Sequence, residues 1–248
     1  MCFRSLAVNC QLINVVLKAV LFDFNGIIIK DESIHRELID ELLLAENLPP
    51  QGKKAQKVSV GKSDRSCLKE LLELRGRFVT DEYLDKLIAK KAIAYRKRLE
   101  LLEVLPIYPD IVGFIEQMYN GGYKLAVVTG ASRSEVELVL KQARILLYFD
   151  EIVAGDEISH SKPDPAGYLL AIDKLNKLYP DLNLIAAECL AIEDTLVGLQ
   201  AVKAAGMQAV AIAHTYPFHM LQRQANWTID TFADLEFDRL TTFFESVP

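Results

Sequence analysis

Short apolar runs alternate with amphipathic segments over most of the chain. The run Lys18-Ala19-Val20-Leu21-Phe22 has the length and composition of a buried strand. Further runs of this kind cover residues 125–128, 151–154, 189–192 and 208–212, and segments with helical spacing cover 133–147, 165–178 and 195–205. Such alternation predicts a parallel sheet with helices on both faces.

Residues 34–105 have a different pattern, because only helical spacing occurs in them. Ser33 can cap a first helix, Gly76 can end a second and Thr80 can cap a third. We therefore predict an α/β protein in which residues 1–33 and 106–248 form a Rossmann-like, doubly wound parallel sheet core. Residues 34–105 are predicted to form an inserted, all-helical cap domain.

Composition narrows the range of partners. The chain has 248 residues, 51% of them hydrophobic, and a formal net charge of -6. An acidic chain lacks the dense basic surface that binds the phosphates of nucleic acids, so no nucleic-acid partner is expected. The N-terminal 17 residues are too short and too often interrupted by polar residues to span a bilayer, and we expect a short extension there. We expect no membrane partner and a monomer or weak homodimer.

The cysteines favour a reducing compartment. They are scattered, without a C-x-x-C pair or a neighbouring histidine, at Cys2, Cys10, Cys67 and Cys189. This spacing suggests neither a zinc site nor a disulfide framework. A cytoplasmic location is therefore predicted.

Polar side chains follow four of the apolar runs, where ligands bind in a doubly wound sheet. Asp23 ends the first run, Thr129 follows the second, and Lys162 lies in the loop after the third. Glu193 and Asp194 end the fourth run. Together these residues offer a nucleophile, a hydroxyl group, a cation and an acidic pair, a set that suits phosphoryl transfer.

Each of these groups has a predicted task. Asp23 would attack phosphorus, while Thr129 and the backbone N–H groups of Gly130 and Ala131 would bind phosphoryl oxygens. Lys162 would pair with Asp23 and with the phosphoryl group. Glu193 and Asp194 would hold Mg²⁺, which prefers carboxylate oxygens.

The four segments resemble the signature motifs of the haloacid dehalogenase superfamily. They are Asp23-Phe24-Asn25-Gly26, Val127-Val128-Thr129-Gly130, Lys162-Pro163-Asp164-Pro165 and Glu193-Asp194-Thr195. The helical insert between the first two is similar to the cap of the subfamily containing phosphoglycolate phosphatases and beta-phosphoglucomutases. The resemblance implies catalysis by Asp23, a Mg²⁺ cofactor and small phosphorylated metabolites as substrates. It also implies that the backbone carbonyl of Asn25 joins Asp23 as a metal ligand.

Asn25 departs from the pattern of the superfamily's phosphatases, which have aspartate at this position. An amide keeps the carbonyl ligand but cannot transfer a proton, and general acid-base help is worth about 10²- to 10⁴-fold in rate. Three hypotheses follow: a Mg²⁺-dependent hydrolase with impaired proton transfer, a phosphate-ligand binding or regulatory protein on the same fold, or a phosphonate or carbon-halogen hydrolase.

Substrate contacts are predicted in two further places. Gly26, beside Asn25, and the cap segment 61–65 are candidates, and in that segment Lys62 and Arg65 could meet substrate charge. His35 is expected to be an exposed helix residue, and His160 to lie near the site without a partner. His214 and the other residues of the C-terminal part are assigned to packing or an interface.

Overall fold

The computed structural model describes residues 15–52 and 60–246. The predicted N-terminal extension lies almost entirely outside the described residues, as do Cys2 and Cys10. Cys67 and Cys189 are buried, and neither forms a disulfide bond among the described residues, as the scattered spacing predicted. No helix within the described residues is long and apolar enough to cross a bilayer.

A parallel sheet forms the centre of the molecule. Its strands are β1 (Ala19–Phe22), β2 (Lys124–Val128), β3 (Glu151–Val153), β4 (Cys189–Glu193), β5 (Gln208–Ile212) and β6 (Trp227–Ile229). They are arranged in the order β3-β2-β1-β4-β5-β6, and every pairing is parallel. The five predicted strands are confirmed, while β6 was missed.

Helices connect the strands and pack on both faces. In the described residues they are α1 (Glu32–Ala45), α2 (Asp64–Glu73), α3 (Asp81–Glu100), α4 (Ile111–Asn120), α5 (Arg133–Gln142), α6 (Ala166–Leu178), α7 (Leu196–Ala204), α8 (Phe218–Leu221) and α9 (Phe237–Ser246). Two bounds differ from expectation, and two helices were missed. The N-cap of α1 is Asp31 instead of Ser33, and α5 ends at Gln142 before a short 3₁₀ turn. The helices α8 and α9 were not predicted.

The strand β1 shows how the sheet is covered. Its side chains alternate between the faces, since Val20 and Phe22 belong to one apolar cluster and Ala19 and Leu21 to another. All four are fully buried. A strand buried on both faces is typical of a doubly wound sheet, and this confirms the predicted fold class.

Helices α1, α2 and α3 share an apolar cluster of their own, which includes Leu43, Leu71 and Leu84. The described residues between Glu32 and Glu100 contain no strand. Leu38 of α1 and Tyr95 of α3 pack instead into the cluster beneath the sheet. We keep the name cap for this helical part; its boundaries at residues 34 and 105 stay a prediction.

Candidate active site

The register of the sheet brings the motif residues to one edge. Phe22, the last residue of β1, is paired with Val127 of β2 and with Ile192 of β4. Asp23 follows Phe22, so it lies beside the ends of both neighbouring strands. Thr129, Glu193 and Asp194 reach the same edge, and all of them are buried.

Lys162 connects two of these carboxylates. Its Nζ lies 2.9 Å from Asp23 Oδ1 and 2.6 Å from Glu193 Oε1, and it also donates to the Val128 carbonyl at 3.3 Å. Burial alone would lower the pKa of Lys162, but the charges of Asp23 and Glu193 raise it above its ordinary value. The ammonium group is therefore held charged beside Asp23, where the sequence predicted it.

The carboxylates repel one another in this buried place. Burial, together with the charge of Glu193, raises the pKa of Asp23 to about 7, against the opposing effect of Lys162. Burial and the charges of Asp23 and Glu193 also raise the pKa of Asp194 well above its usual value. One lysine does not balance three carboxylates, so the site favours a further cation.

Ligand oxygens of Asp23, Glu193 and Asp194 lie within 4.8 Å of one another. Glu193 is already engaged: Oε1 accepts from Lys162 and Tyr168, and Oε2 accepts from Thr195. Asp194 Oδ2 accepts from Thr215, whereas Asp194 Oδ1 is buried without a hydrogen-bond partner among the described residues.

An orphaned buried carboxylate oxygen is unfavourable, and a hard divalent cation would satisfy it. The hydrogen bonds that Asp23 accepts from described residues both end on Oδ1, so Oδ2 keeps its acceptor capacity. The described residues donate no hydrogen bond to the Asn25 carbonyl oxygen. The donor set therefore fits a metal ion, with Asp23 and Asp194 better suited as direct ligands than Glu193.

Gly26 is required by close approach. Its φ is +84°, and a Cβ built on it would lie 2.1 Å from Asp194 Oδ2. A side chain at this position would displace the Asp194 carboxylate. Gly26 thus shapes the acidic cluster, and its own N–H group donates to the Ile29 carbonyl at 2.9 Å.

The loop after β2, which the sequence predicted to bind an anion, is partly engaged in its own hydrogen bonds. Thr129 Oγ1 accepts from the Ala131 N–H at 3.1 Å. Thr129, Gly130 and Ala131 all line the same cavity as Asp23. Gly130 has a second constraint, because a Cβ there would lie 2.7 Å from Ser63 Cα of the cap.

A cavity of about 450 Å³ lies between the core and the cap. Asp23 and Thr129 line it from the core, and His35 and Lys62 line it from the cap. The cap loop is held against the core by a hydrogen bond of 2.7 Å from Ser63 N to Ser161 Oγ. Cavities of this size accept a small metabolite.

The predicted cap cations are engaged elsewhere. Lys62 lines the cavity, but its Nζ is 2.5 Å from Glu70 Oε2. Arg65 forms ion pairs with Asp81 and Asp85 and does not line the cavity. The structure therefore gives Arg65 no position from which to contact a substrate.

Two histidines differ from expectation. His160 does have a partner, since its Nδ1 is 2.9 Å from Ser159 Oγ, but it does not line the cavity. His214, assigned to packing, lines the cavity; its Nδ1 donates to the Gly26 carbonyl at 2.6 Å, and its ring stacks on Tyr108 at 3.8 Å. Burial lowers the pKa of His214. Its position just after β5, at the carboxyl end of a strand, was a signal that could have identified it.

Asn25 lies beside a buried acidic group. Its Nδ2 is 3.0 Å from Asp31 Oδ1, 3.1 Å from Asp31 Oδ2 and 3.0 Å from His35 Nε2. Burial would raise the pKa of Asp31, but the charge and hydrogen bond of His35, with the hydroxyl group of Tyr95, lower it below its ordinary value. His35 is half-buried and bonded, so the expectation of an exposed residue was wrong.

A model of the haloacid dehalogenase-like hydrolases matches residues 17–206. The chain belongs to this family. The match begins just before β1, extends past the end of α7 and includes every motif residue described above. The superfamily, the hydrolase class and the fold predicted from the sequence are thereby confirmed.

Several known proteins are similar to this chain over most of their length. Protein CbbY of Rhodobacter capsulatus is 28% identical over 223 residues, which cover 86% of this chain and 92% of that protein. The phosphoglycolate phosphatase of Pseudomonas putida is 27% identical over 201 residues, covering 80% and 70%. The crystal structure of a beta-phosphoglucomutase from Clostridium difficile has a TM-score of 0.79 at 20% identity, covering 92% and 97%; this likeness shows the fold.

Proposed function

We propose that this protein is a metal-dependent phosphatase that hydrolyses a small phosphorylated metabolite through a phosphorylated Asp23. The observation that carries the proposal is the contact of Lys162 with Glu193 and with Asp23, which lines the cavity. Similarity to phosphoglycolate phosphatase supports the substrate class. The fold alone would not, because one fold serves many reactions.

In the first step an oxygen of the Asp23 carboxylate attacks the phosphorus of the substrate. A bond from Asp23 to phosphorus forms, and the substrate's alkoxide leaves with the electron pair of its own P–O bond. Lys162 and the loop of Thr129, Gly130 and Ala131 bind the equatorial oxygens, where negative charge is spread in the transition state.

In the second step a water molecule attacks the phosphorus. The Asp23–phosphorus bond breaks, the carboxylate is regenerated, and both protons of the water remain on the released phosphate. No base is formally needed for this balance. The closed cap, held by Ser63 and Ser161, limits which water molecules reach the site.

The residues present fit Mg²⁺. Asp23, Asp194 and the Asn25 carbonyl would be direct ligands of the ion. Glu193 would lie next to these ligands without binding the ion directly, because its oxygens already accept from Lys162 and Thr195. When bound, the ion supplies positive charge that offsets the charge of the phosphoryl oxygens.

Asn25 limits the choice of substrate. The leaving alkoxide needs a proton, and an amide does not provide one at neutral pH. A substrate with an acidic leaving group needs no such proton. We therefore expect aryl and acyl phosphates to be hydrolysed faster than alkyl phosphates.

A direct test measures phosphate release from p-nitrophenyl phosphate with Mg²⁺, with EDTA, and in Asp23→Asn. We expect turnover that needs Mg²⁺ and disappears in Asp23→Asn. A mass increase of Asp23 by one phosphoryl group in acid-quenched protein would identify the intermediate. The absence of metal-dependent turnover with any phosphate ester would contradict the proposal.

If phosphorylated metabolites and Mg²⁺ raised the melting temperature without turnover, the binding or regulatory alternative would replace it. The phosphonate alternative gains no support, because its candidate amine, Lys62, is bound to Glu70.

A further inference from the structure

Asp31 holds the N-cap position of α1 without capping the helix. Its side chain accepts no hydrogen bond from a backbone N–H group of the first turn of α1. Aspartate at this position ordinarily does accept one, with a gain of about 1 kcal/mol in stability. The Asp31 carboxylate is fully buried and turned toward Asn25 instead. A task other than capping is therefore indicated.

The partners of Asp31 fix which way it faces. Tyr95 of α3 donates a hydroxyl hydrogen bond to Oδ2, and His35 Nε2 lies 3.1 Å from the same oxygen. The His35 ring is stacked on the Tyr95 ring at 4.8 Å. Both carboxylate oxygens also lie within hydrogen-bond distance of Asn25 Nδ2. The carboxylate is thus held from the cap side and presented to the loop that follows β1.

An ionised carboxylate only accepts hydrogen bonds, so the amide group beside it must present its nitrogen. The two contacts with Asp31 outweigh the single contact with His35 Nε2, which lies 3.0 Å from the same nitrogen, and favour the orientation with Nδ2 toward Asp31. Asn25 lines the cavity, and among the described residues no donor is bonded to its Oδ1. With Nδ2 turned to Asp31, Oδ1 is the polar atom that remains for the cavity.

We propose that Asp31 is a positioning residue that orients the Asn25 carboxamide so that Oδ1, and not Nδ2, meets the substrate or the attacking water. This inference rests on the proposed function. A fixed acceptor can hold one hydrogen of the water that attacks phosphorylated Asp23, and it can accept from a substrate hydroxyl group. It orients these groups without removing a proton.

The pairing also explains why the position carries an amide. A carboxylate at position 25 would lie about 3 Å from the buried Asp31 carboxylate, by the distances that Asn25 shows. Two like charges at that separation in a buried place disfavour each other. The amide at 25 and the carboxylate at 31 are therefore a matched pair, and the single change Asn25→Asp would not restore a normal phosphatase.

The kinetic test compares Asp31→Asn, Asn25→Asp and the exchanged variant Asn25→Asp/Asp31→Asn with the native protein. Substrates are p-nitrophenyl phosphate, whose leaving group needs no proton, and glycerol 3-phosphate, whose leaving group does. The exchanged variant keeps one carboxylate in contact with one amide. It should therefore fold even if Asp31→Asn does not, and the comparison can still be made.

For Asp31→Asn we expect kcat with p-nitrophenyl phosphate to fall about 10-fold while KM stays within about 2-fold, as for a misaligned group. For the exchanged variant we expect glycerol 3-phosphate turnover about 100-fold above that of the native protein, because a carboxylate then faces the cavity. Asn25→Asp alone should be slower than the exchanged variant. Equal rates of these two variants would overturn the proposal.

Leu84→Ala is the control for stability. Leu84 is buried in the apolar cluster of the cap, which contains neither Asp31 nor Asn25. If Asp31 only stabilised the fold, Leu84→Ala and Asp31→Asn would lower the melting temperature and kcat in parallel. We expect Leu84→Ala to lower the melting temperature and to leave kcat with p-nitrophenyl phosphate unchanged.

A second measurement does not depend on turnover. The side-chain amide signals of Asn25, identified by their loss in Asn25→Ala, should exchange slowly with solvent in the native protein and rapidly in Asp31→Asn. Equal exchange in both would overturn the orientation proposed here. If slow exchange were found in a protein without phosphatase activity, the proposed function would fail while the orientation held.

Discussion

Lys91 of α3 and Glu135 of α5 form an ion pair of 3.4 Å between the cap and the core, and both side chains are buried. Asp64 of α2 completes the group at 2.6 Å from Lys91 Nζ. Burial alone would lower the pKa of Lys91, but Asp64 and Glu135 raise it above its ordinary value. One charged lysine thus pairs with a carboxylate on each side of the boundary.

We therefore expect Lys91→Met to destabilise the protein by about 3–5 kcal/mol, because two carboxylates lose their common partner. Urea denaturation measures this free energy of unfolding. The control is Lys90→Met, one residue earlier on the same helix and exposed, which should change it by less than about 0.5 kcal/mol. Equal values for the two variants would show that the buried pairs contribute nothing.

Gly130→Ala tests whether the cap must approach the core as closely as the structure shows. The added Cβ would lie 2.7 Å from Ser63 Cα, so the cap loop must retreat. We expect kcat/KM for p-nitrophenyl phosphate to fall by up to about 100-fold, the size of effect that a displacement near 1 Å can have. Gly113→Ala, at a helix position with no neighbouring atom within 4 Å, should keep full activity.

The acidic cluster predicts how stability depends on pH. Folding raises the pKa of Asp23 to about 7 and that of Asp194 above its usual value, so the folded state binds more protons than the unfolded state above about pH 4. In EDTA the free energy of unfolding should consequently fall as the pH rises from about 4 through 7.

Mg²⁺ should reverse this trend, because it binds the ionised carboxylates. Melting temperatures between pH 5 and 8 should separate increasingly between EDTA and MgCl₂ as the pH rises. Asp194→Asn should reduce the separation. A constant difference across this range would be inconsistent with metal binding at the cluster.

His214 should act on the loop of the nucleophile through two separable contacts. His214→Asn can keep a donor to the Gly26 carbonyl while losing the stack on Tyr108, and His214→Phe keeps the stack without the donor. Loss of one hydrogen bond corresponds to about 1 kcal/mol, or roughly 5-fold in kcat/KM if it orients the loop. We expect His214→Phe to be the slower variant. The reverse order would assign the role of His214 to stacking.

The sequence predicted those parts of the molecule that local pattern determines. Apolar runs located β1 to β5, and the polar residues at their ends identified Asp23, Lys162 and Asp194, because parallel strands end at one edge. The strand β6 escaped detection because only one of its three residues, Ile229, is buried, whereas the equally short β3 has two buried residues. Its pairing with β5 is a tertiary contact that periodicity does not record.

Side-chain partners were harder to predict than positions. Arg65 lies in the cap segment chosen for substrate binding, but the acidic residues of α3 bind it on the outer side of the cap. Asn25 was recognised as unusual from the motif alone. That Asp31 turns away from its own helix to meet it depends on Tyr95, which is 64 residues further along the chain.

Leu38 and Tyr95 lie in the cap but pack in the same apolar cluster as Phe22 of the central strand. The hydrophobic contacts that stabilise the sheet therefore include side chains from the first and the last helix of the cap. Unfolding the cap by itself would expose part of the cluster beneath the sheet, which makes a separately melting cap unfavourable. The cap and the core should therefore unfold in a single cooperative transition, although the cap is an insertion between β1 and β2.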